Sequence, residues 1–499
     1  MKRFFLSLAV LLPVLSMARV QPDVAADSIA QTQKEGWNIG VLPSIAYDAD
    51  CGFQGGLLAN LYDYGSGEQY PEYIHSLYFE AAYTTKHTGI FRFNYDSKYV
   101  IPNHRLTIDL AYLRDALCDF YGFNGYQAVY QPLFHHSAYM KNAAGDKVYD
   151  PQKMDIAAYR TRAFYKFKRD LVRAAIDWEG PIRRHWHWNV GIGLLGYMCD
   201  TVHTAVLNRG KEGDRRLPPQ EGLYEKYRKW GILSVDEVRG GWHPYLRVGC
   251  SFDSRDQRQG PNSGIYADVF LTYSAAFNAG FGQQADAGYN HLRLNATFRH
   301  YVQLYPKWVV LAYRIGVQNT IAGKSPFYQN TYLNTLFMQR VIYEGLGGGN
   351  SIRGVLRNRV LANGVGFANI ELRCKIVPFD IGRQHFYIGL NPFVDMGMVL
   401  QPYDIDALVR QHTDGRYQTV AEAVRASGEE PDDFFRLDAN RQSLSPKSKD
   451  VFRPHLSAGI GLKIVMNDNF CVSVDWAKAL HAQDGASWTN FYVKMGYLF

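Results

Sequence analysis

The sequence has little of what most metal-binding, catalytic or nucleic-acid-binding chains carry. Its six cysteines, Cys51, Cys118, Cys199, Cys250, Cys374 and Cys471, lie far apart, without a CxxC pair or a metal-type spacing. That excludes the common zinc and redox motifs, and several of the six fall at apolar positions of alternating segments, where cysteine serves as a small hydrophobe. Basic blocks are missing too. The formal charge of +7 comes from 54 basic against 47 acidic residues dispersed over 499 positions, which leaves no footprint for nucleic acid. There is no nucleophile elbow, no HExxH and no convincing pair of acids, and His135, His136, His203 and His412 have no nucleophile to serve. Neither a cofactor nor an enzymatic activity is expected.

Long apolar runs are equally scarce. The opening MKRFFLSLAVLLPVLSMARV has two basic residues, an apolar run from Phe4 to Leu15, and small residues Ser16 and Ala18 spaced for cleavage. The run is shorter than the roughly 20 residues of a spanning helix, so residues 1–18 read as a secretory signal, cut after Ala18. No later run is long enough for a transmembrane helix, and the mean hydropathy is −0.26. Aromatics, in contrast, are abundant: 35 tyrosines and 28 phenylalanines. Tyrosine suits a boundary between apolar and wet surroundings, and transmembrane barrels carry aromatic girdles at both interfaces.

Period-two alternation recurs from about Trp37 to the end. In YNHLRLNATFR, Leu292, Leu294, Ala296 and Phe298 face one way while His291, Arg293, Asn295, Thr297 and Arg299 face the other. A soluble sandwich would show the same split. Repetition separates the two, because about sixteen such segments of roughly ten residues match strands crossing a bilayer at a tilt. Short turns (DADCG, KHTG, YPKW, DIGRQ, NDNF) alternate with long connections at roughly 117–157, 201–240, 322–360 and 401–452, the asymmetry of tight periplasmic turns and long external loops. The expected fold is all-β: a transmembrane antiparallel barrel over residues 37–499, preceded by a short periplasmic segment, 19–36. The last segment, NFYVKMGYLF, places Phe491, Val493, Met495, Tyr497 and Phe499 on one face, the pattern of a C-terminal barrel-insertion signal.

One stretch stands apart. EGLGGGNSIRGVLRNRV, residues 344–360, puts Arg353 among bare glycines, Gly348, Gly349 and Gly354. GNSIRGV resembles the arginine–glycine motif on the long sixth external loop of the BamA/TamA superfamily of outer-membrane assembly and translocation barrels. The resemblance implies a loop folded back into the lumen, with its arginine paired to acids on the following strands. Alternation supplies two candidates, because Glu371 and Asp395 both fall on the inward face. A second resemblance lies in SFDSRDQRQGPNSG, similar to the family's periplasmic turn between the eighth and ninth strands, with Asp253, Arg255, Asp256, Pro261 and Gly264 at the matching positions. The family usually carries periplasmic POTRA domains, yet residues 19–36 are too few for any folded domain. The resemblance therefore implies an integral outer-membrane barrel, surrounded by lipid, that inserts or exports outer-membrane or surface proteins with a partner supplying the periplasmic arm. A passive channel or a structural subunit is the alternative.

Overall fold

The structure, a computed structural model, describes residues 35–499 apart from a few short connections and most of 132–162, 213–220, 276–288 and 334–343. The signal segment 1–18 and residues 19–34 lie outside the described residues.

Sixteen antiparallel strands close into one barrel. The first, β1, comes in two pieces, Trp37–Pro43 and Ala46–Asp48. It is followed by β2 (Gly52–Asp63), β3 (His75–Thr84), β4 (Thr88–Ile101) and β5 (His104–Asp119). Next come β6 (Lys166–Arg183), β7 (Trp186–Asp200), β8 (Gly240–Asp253), β9 (Gly264–Ser274), β10 (His291–Tyr305) and β11 (Val309–Gly323). The wall ends with β12 (Gly364–Ile381), β13 (Gln384–Gln401), β14 (His455–Met466), β15 (Phe470–Ala479) and β16 (Asn490–Met495). Each strand pairs with its sequence neighbours, as short connections favour.

Alternation fixes which side chains face where. On β8, Leu246 and Val248 are about half exposed while Arg247 and Ser251 between and beyond them are buried; on β12, Ile370 is 51% exposed beside Asn369 and Glu371 at 0%. Such an outward apolar surface is stable only against hydrocarbon, and in hydrocarbon an open sheet edge would leave backbone groups without partners, so the sheet must close. At the short-turn end Trp178 and Trp188 pack edge to face at 5.1 Å, and Trp186 lies 5.2 Å from Phe252, forming part of an interfacial girdle.

The connections sort by strand parity. The long ones (after β5, β7, β11 and β13) share one end of the barrel with the short turns DADCG and KHTG, which follow β1 and β3. Those two turns are therefore on the long-loop side rather than the opposite one; loop length alone does not reveal the side, but counting strands does. Among the described residues the long loops bring four α-helices to that end: α1 (Leu223–Lys229), α2 (Phe327–Asn330), α3 (Ile405–His412) and α4 (Val420–Ala426). α3 and α4 start on side-chain caps, Asp404 accepting from the Ala407 amide and Thr419 from the Glu422 amide, each satisfying a donor the helix leaves open. Tyr227 of α1 and Phe327 of α2 join Phe120, Phe123, Trp230 and Phe434 in a buried aromatic cluster, in which Phe120 and Tyr227 meet edge to face at 5.1 Å. The cluster caps the barrel mouth with a hydrophobic core of its own.

The last strand differs from its expected pattern. Phe491 faces outward and Tyr492 is fully buried, but the ladder stops at Met495, and Gly496 adopts φ +91°. The following residues turn off the wall. Tyr497 packs on Tyr387, Val465 and Cys471, with its hydroxyl 2.8 Å from that of Tyr387, and Phe499 packs on Tyr301, Val310 and Ala312. These are inner-face residues. Tyr497 and Phe499 thus leave the outer face on which Phe491 lies, because a left-handed glycine breaks the alternation.

Candidate functional site

The loop between β11 and β12 enters the barrel. From Glu344 to Ala362 every residue but Asn350 is buried, and the backbone closes on itself, with the Gly348 amide donating to Val355 at 2.9 Å. Glycine is needed at three points, the first being Gly347 at φ +109°, where a Cβ would meet the Leu356 carbonyl at 2.2 Å. Gly348 has φ +89° with the Arg357 side chain packed where a Cβ would stand, and Gly354, also at φ +89°, lies so close to β15 that a Cβ would come within 2.8 Å of the Lys478 amide nitrogen. Gly349, between them and the turn, is buried as well.

Close approach of the backbone brings Arg353 to the wall. Its Nε and Nη2 make a two-pronged contact with Asp395 at 2.8 and 2.9 Å, its own amide donates to Asp395 at 3.0 Å, and Nη1 reaches Glu371 at 2.7 Å. Asp475 on β15 stands 3.4 Å from Nη1, and the Phe393 ring lies 3.4 Å under the guanidinium. Two neighbours complete the charge: Arg373 contacts Glu371 at 3.2 Å, and Lys463 contacts Asp475 at 2.6 Å. Three cations thus face three carboxylates. Burial works against the charge on Arg353, but Asp395 and Glu371 outweigh it, so the guanidinium is held above its ordinary range. A planar fork suits this arrangement as an ammonium would not.

Alternation had pointed to Glu371 and Asp395. Asp475 and Lys463 were missed, although both fall on the inward register of β15 and β14. Two more arginines of the same loop were also missed. Arg357 binds Asp119 at 2.8 Å and Asp115 at 3.0 Å, both on β5, on the far side of the barrel from β12 and β13. Arg359 donates to the carbonyls of Gln483, Gly125 and Ala128 at 2.8, 2.8 and 2.9 Å. The spacing RGVLRNR was the available signal.

The loop's first limb is tied as firmly. Arg293 on β10 donates to Ser325 and Asn330 at 2.5 and 2.6 Å, and Arg169 on β6 donates to the Thr331 hydroxyl at 2.6 Å. Glu237, in the loop after β7, accepts from the Phe327 amide at 3.2 Å and from Ser234 at 3.3 Å. Its burial raises the carboxyl to about 7, with Lys324 and the two amides offsetting only part of the desolvation.

At the opposite end, the turn after β8 is held by Arg255, which grips Asp253 with Nε and Nη2, both at 2.8 Å, and lies 4.7 Å from the Tyr266 ring. Asp256 accepts from the Asn262 amide at 3.1 Å, Pro261 is buried, and Gly264 at φ +102° has the Ser254 carbonyl where a Cβ would be, 2.4 Å away.

A closed sixteen-stranded wall with an apolar outside, a charged inside and an entered loop defines an integral outer-membrane β-barrel. The chain matches the Omp85 superfamily domain over residues 224–499, more than half its length. It belongs to the Omp85 superfamily. Among solved structures it is similar to BamA from Haemophilus ducreyi lacking POTRA domains 1–3 (14% identity, TM-score 0.49, covering 93% of this chain and 70% of that one). It is also similar to CdiB from Escherichia coli (10%, 0.45, 92% and 62%) and CdiB from Acinetobacter baumannii (12%, 0.40, 93% and 60%). No curated protein sequence matches it at a significant level.

Proposed function

We propose that this barrel takes part in inserting or exporting outer-membrane or surface polypeptides, together with a partner that supplies a periplasmic, client-handling domain. The observation that carries this reading is the seam between β1 and β16. Among the described residues two register pairs join them, Tyr47 with Val493 and Asp48 with Tyr492. Among the described residues, Trp37–Pro43 pairs in register with β2 alone. Pro43, where β1 breaks, has no N–H to give. An edge of seven residues, roughly 20 Å long, would leave its polar groups unmet in lipid, and an incoming client strand could satisfy them by adding to the sheet.

In this reading Arg353, Glu371 and Asp395 lock the loop that braces the wall, with Gly348, Gly349 and Gly354 permitting the approach. Asp253, Arg255, Asp256, Pro261 and Gly264 shape the periplasmic turn. The segment carrying Phe491, Val493, Met495, Tyr497 and Phe499 serves the barrel's own assembly. The test is to deplete the protein in its native membrane and quantify outer-membrane proteins, and to purify it in mild detergent. Selective loss of particular barrels or surface proteins, with a stoichiometric periplasmic partner, is expected. A barrel that purifies alone and whose depletion leaves the membrane's protein profile unchanged refutes the proposal in favour of a passive channel.

A further inference from the structure

Two ladder pairs are too few to hold two strands together in isolation, yet the seam is shut along its long-loop half. Something else bridges it. Directly behind the seam lies a small cavity lined by Tyr47, Val493 and Lys494 on one side and by Arg357 and Asp115 on the other. The tip of the entered loop crosses here. On the β16 flank, the Gly354 amide donates to the Tyr492 hydroxyl at 3.2 Å, Asn490 donates to the Gly354 carbonyl at 3.0 Å, and Lys494 donates to Asn350 at 2.5 Å. Three residues further on, Arg357 is bound to Asp115 and Asp119 on β5, at 3.0 and 2.8 Å.

The position of each tie relative to the seam decides what it does. Arg353 holds β12, β13 and β15, all on the β16 side, so parting β1 from β16 stretches none of its bonds. Arg357 holds the β1 side while Gly354 holds β16. We infer that Arg357 is the positioning residue that latches the seam, and that its ion pairs with Asp115 and Asp119 must be released before β1 and β16 can separate. In the cap, Tyr126 with Asp484 at 2.5 Å, and Arg359 with Gln483 on one side and Gly125 and Ala128 on the other, join the same two sides, but they stand among the long loops, whereas Arg357 borders the cavity behind the paired residues. The ion pairs are 3% and 1–2% exposed, where losing one partner is costly and a buried charge seeks its counter-ion strongly. The inference rests on the reading of the seam as the working part.

The test uses the full-length barrel with its six native cysteines replaced by alanine, in planar bilayers, recording the frequency of opening events. Arg357→Ala should raise that frequency roughly tenfold or more, as loss of a buried ion pair shifts a two-state equilibrium. A disulfide between Tyr47→Cys and Val493→Cys should suppress the added events, and Arg357→Lys, which keeps a cation facing Asp115 and Asp119, should raise the frequency less than Arg357→Ala. Gel mobility before and after heating confirms that each variant is folded; if Arg357→Ala does not fold, Asp119→Asn gives the same readout with a milder change. An unchanged frequency in the folded variant, or added events that survive the disulfide, overturns the latch. Client insertion by the disulfide-locked barrel separates the two claims. Insertion at the parental rate refutes the seam's role in the proposed function, whereas loss of insertion with no effect of Arg357→Ala refutes the latch alone.

Discussion

Replacing Arg353 by alanine is the most direct perturbation of the entered loop. The side chain and both of its main partners, Glu371 and Asp395, are 0% exposed, so no solvent screening softens the change. Removing the cation leaves the cluster with two cations, Arg373 and Lys463, against three carboxylates. Breaking one member out of a buried charge pair costs about 3–5 kcal/mol, more than a surface pair could contribute. In a chain of this size the unfolding entropy is roughly 1 kcal/mol per kelvin, so one kcal/mol moves the midpoint by about 1 °C and the unfolding midpoint should fall by roughly 3–5 °C. The assay is the temperature at which the compact band converts to the unfolded band on a semi-native gel. Arg353→Lys should fall between parent and alanine variant, since an ammonium keeps the charge but loses the two-pronged contact. The double variant Arg353→Met, Asp395→Asn should recover part of the loss, because Arg373 and Lys463 then face Glu371 and Asp475, two cations against two carboxylates. If Arg353→Ala melts within a degree of the parent, the loop is not held by this cluster and the reasoning fails.

Glu237 gives a pH dependence. Its carboxyl is raised to about 7 by burial, so the folded cap binds a proton more tightly than the unfolded chain. Its contribution is greatest below the ordinary carboxyl range, and stability is lost as pH rises from about 4.5 through about 7, by up to ~3 kcal/mol. Amide exchange at Ser234 and Phe327 should therefore quicken over that window, and Glu237→Gln should flatten the change. Gly264→Ala places a Cβ 2.4 Å from the Ser254 carbonyl at a φ of +102°; the turn must distort, and the yield of heat-modifiable barrel should drop while secretion of the chain does not.

The wall was legible in the sequence because a one-residue slip would turn every charged side chain of a strand toward lipid. That constraint placed Glu371 and Asp395 inward from nothing more than their spacing. It says nothing about what lies across the lumen. Arg357 and Arg359 find partners on β5, in the loop after it and in the loop after β15, and no local pattern connects those segments. The break at Pro43 and the inward turn at Gly496 depend on whether the neighbouring strand competes for the backbone, which the residues by themselves do not record. Asp475 fell in an alternating strand and escaped notice because its partner arginine already had two acids.

The loop's bonds also set an order of events in folding. Arg357 reaches Asp119 across 238 positions of chain, and Gly354 reaches Tyr492 across 138. Contacts so distant in sequence require most of the loop-closure entropy to be spent before they form. The arginine-bearing loop therefore cannot be fully seated until both the fifth strand and the last are in place, and its docking reports that the cylinder is whole. A chain interrupted before Asp475 would lack an acid for Arg353 and the strand that Gly354 grips, leaving three arginines in an unfinished sheet, a conspicuous state for quality-control proteases to act on.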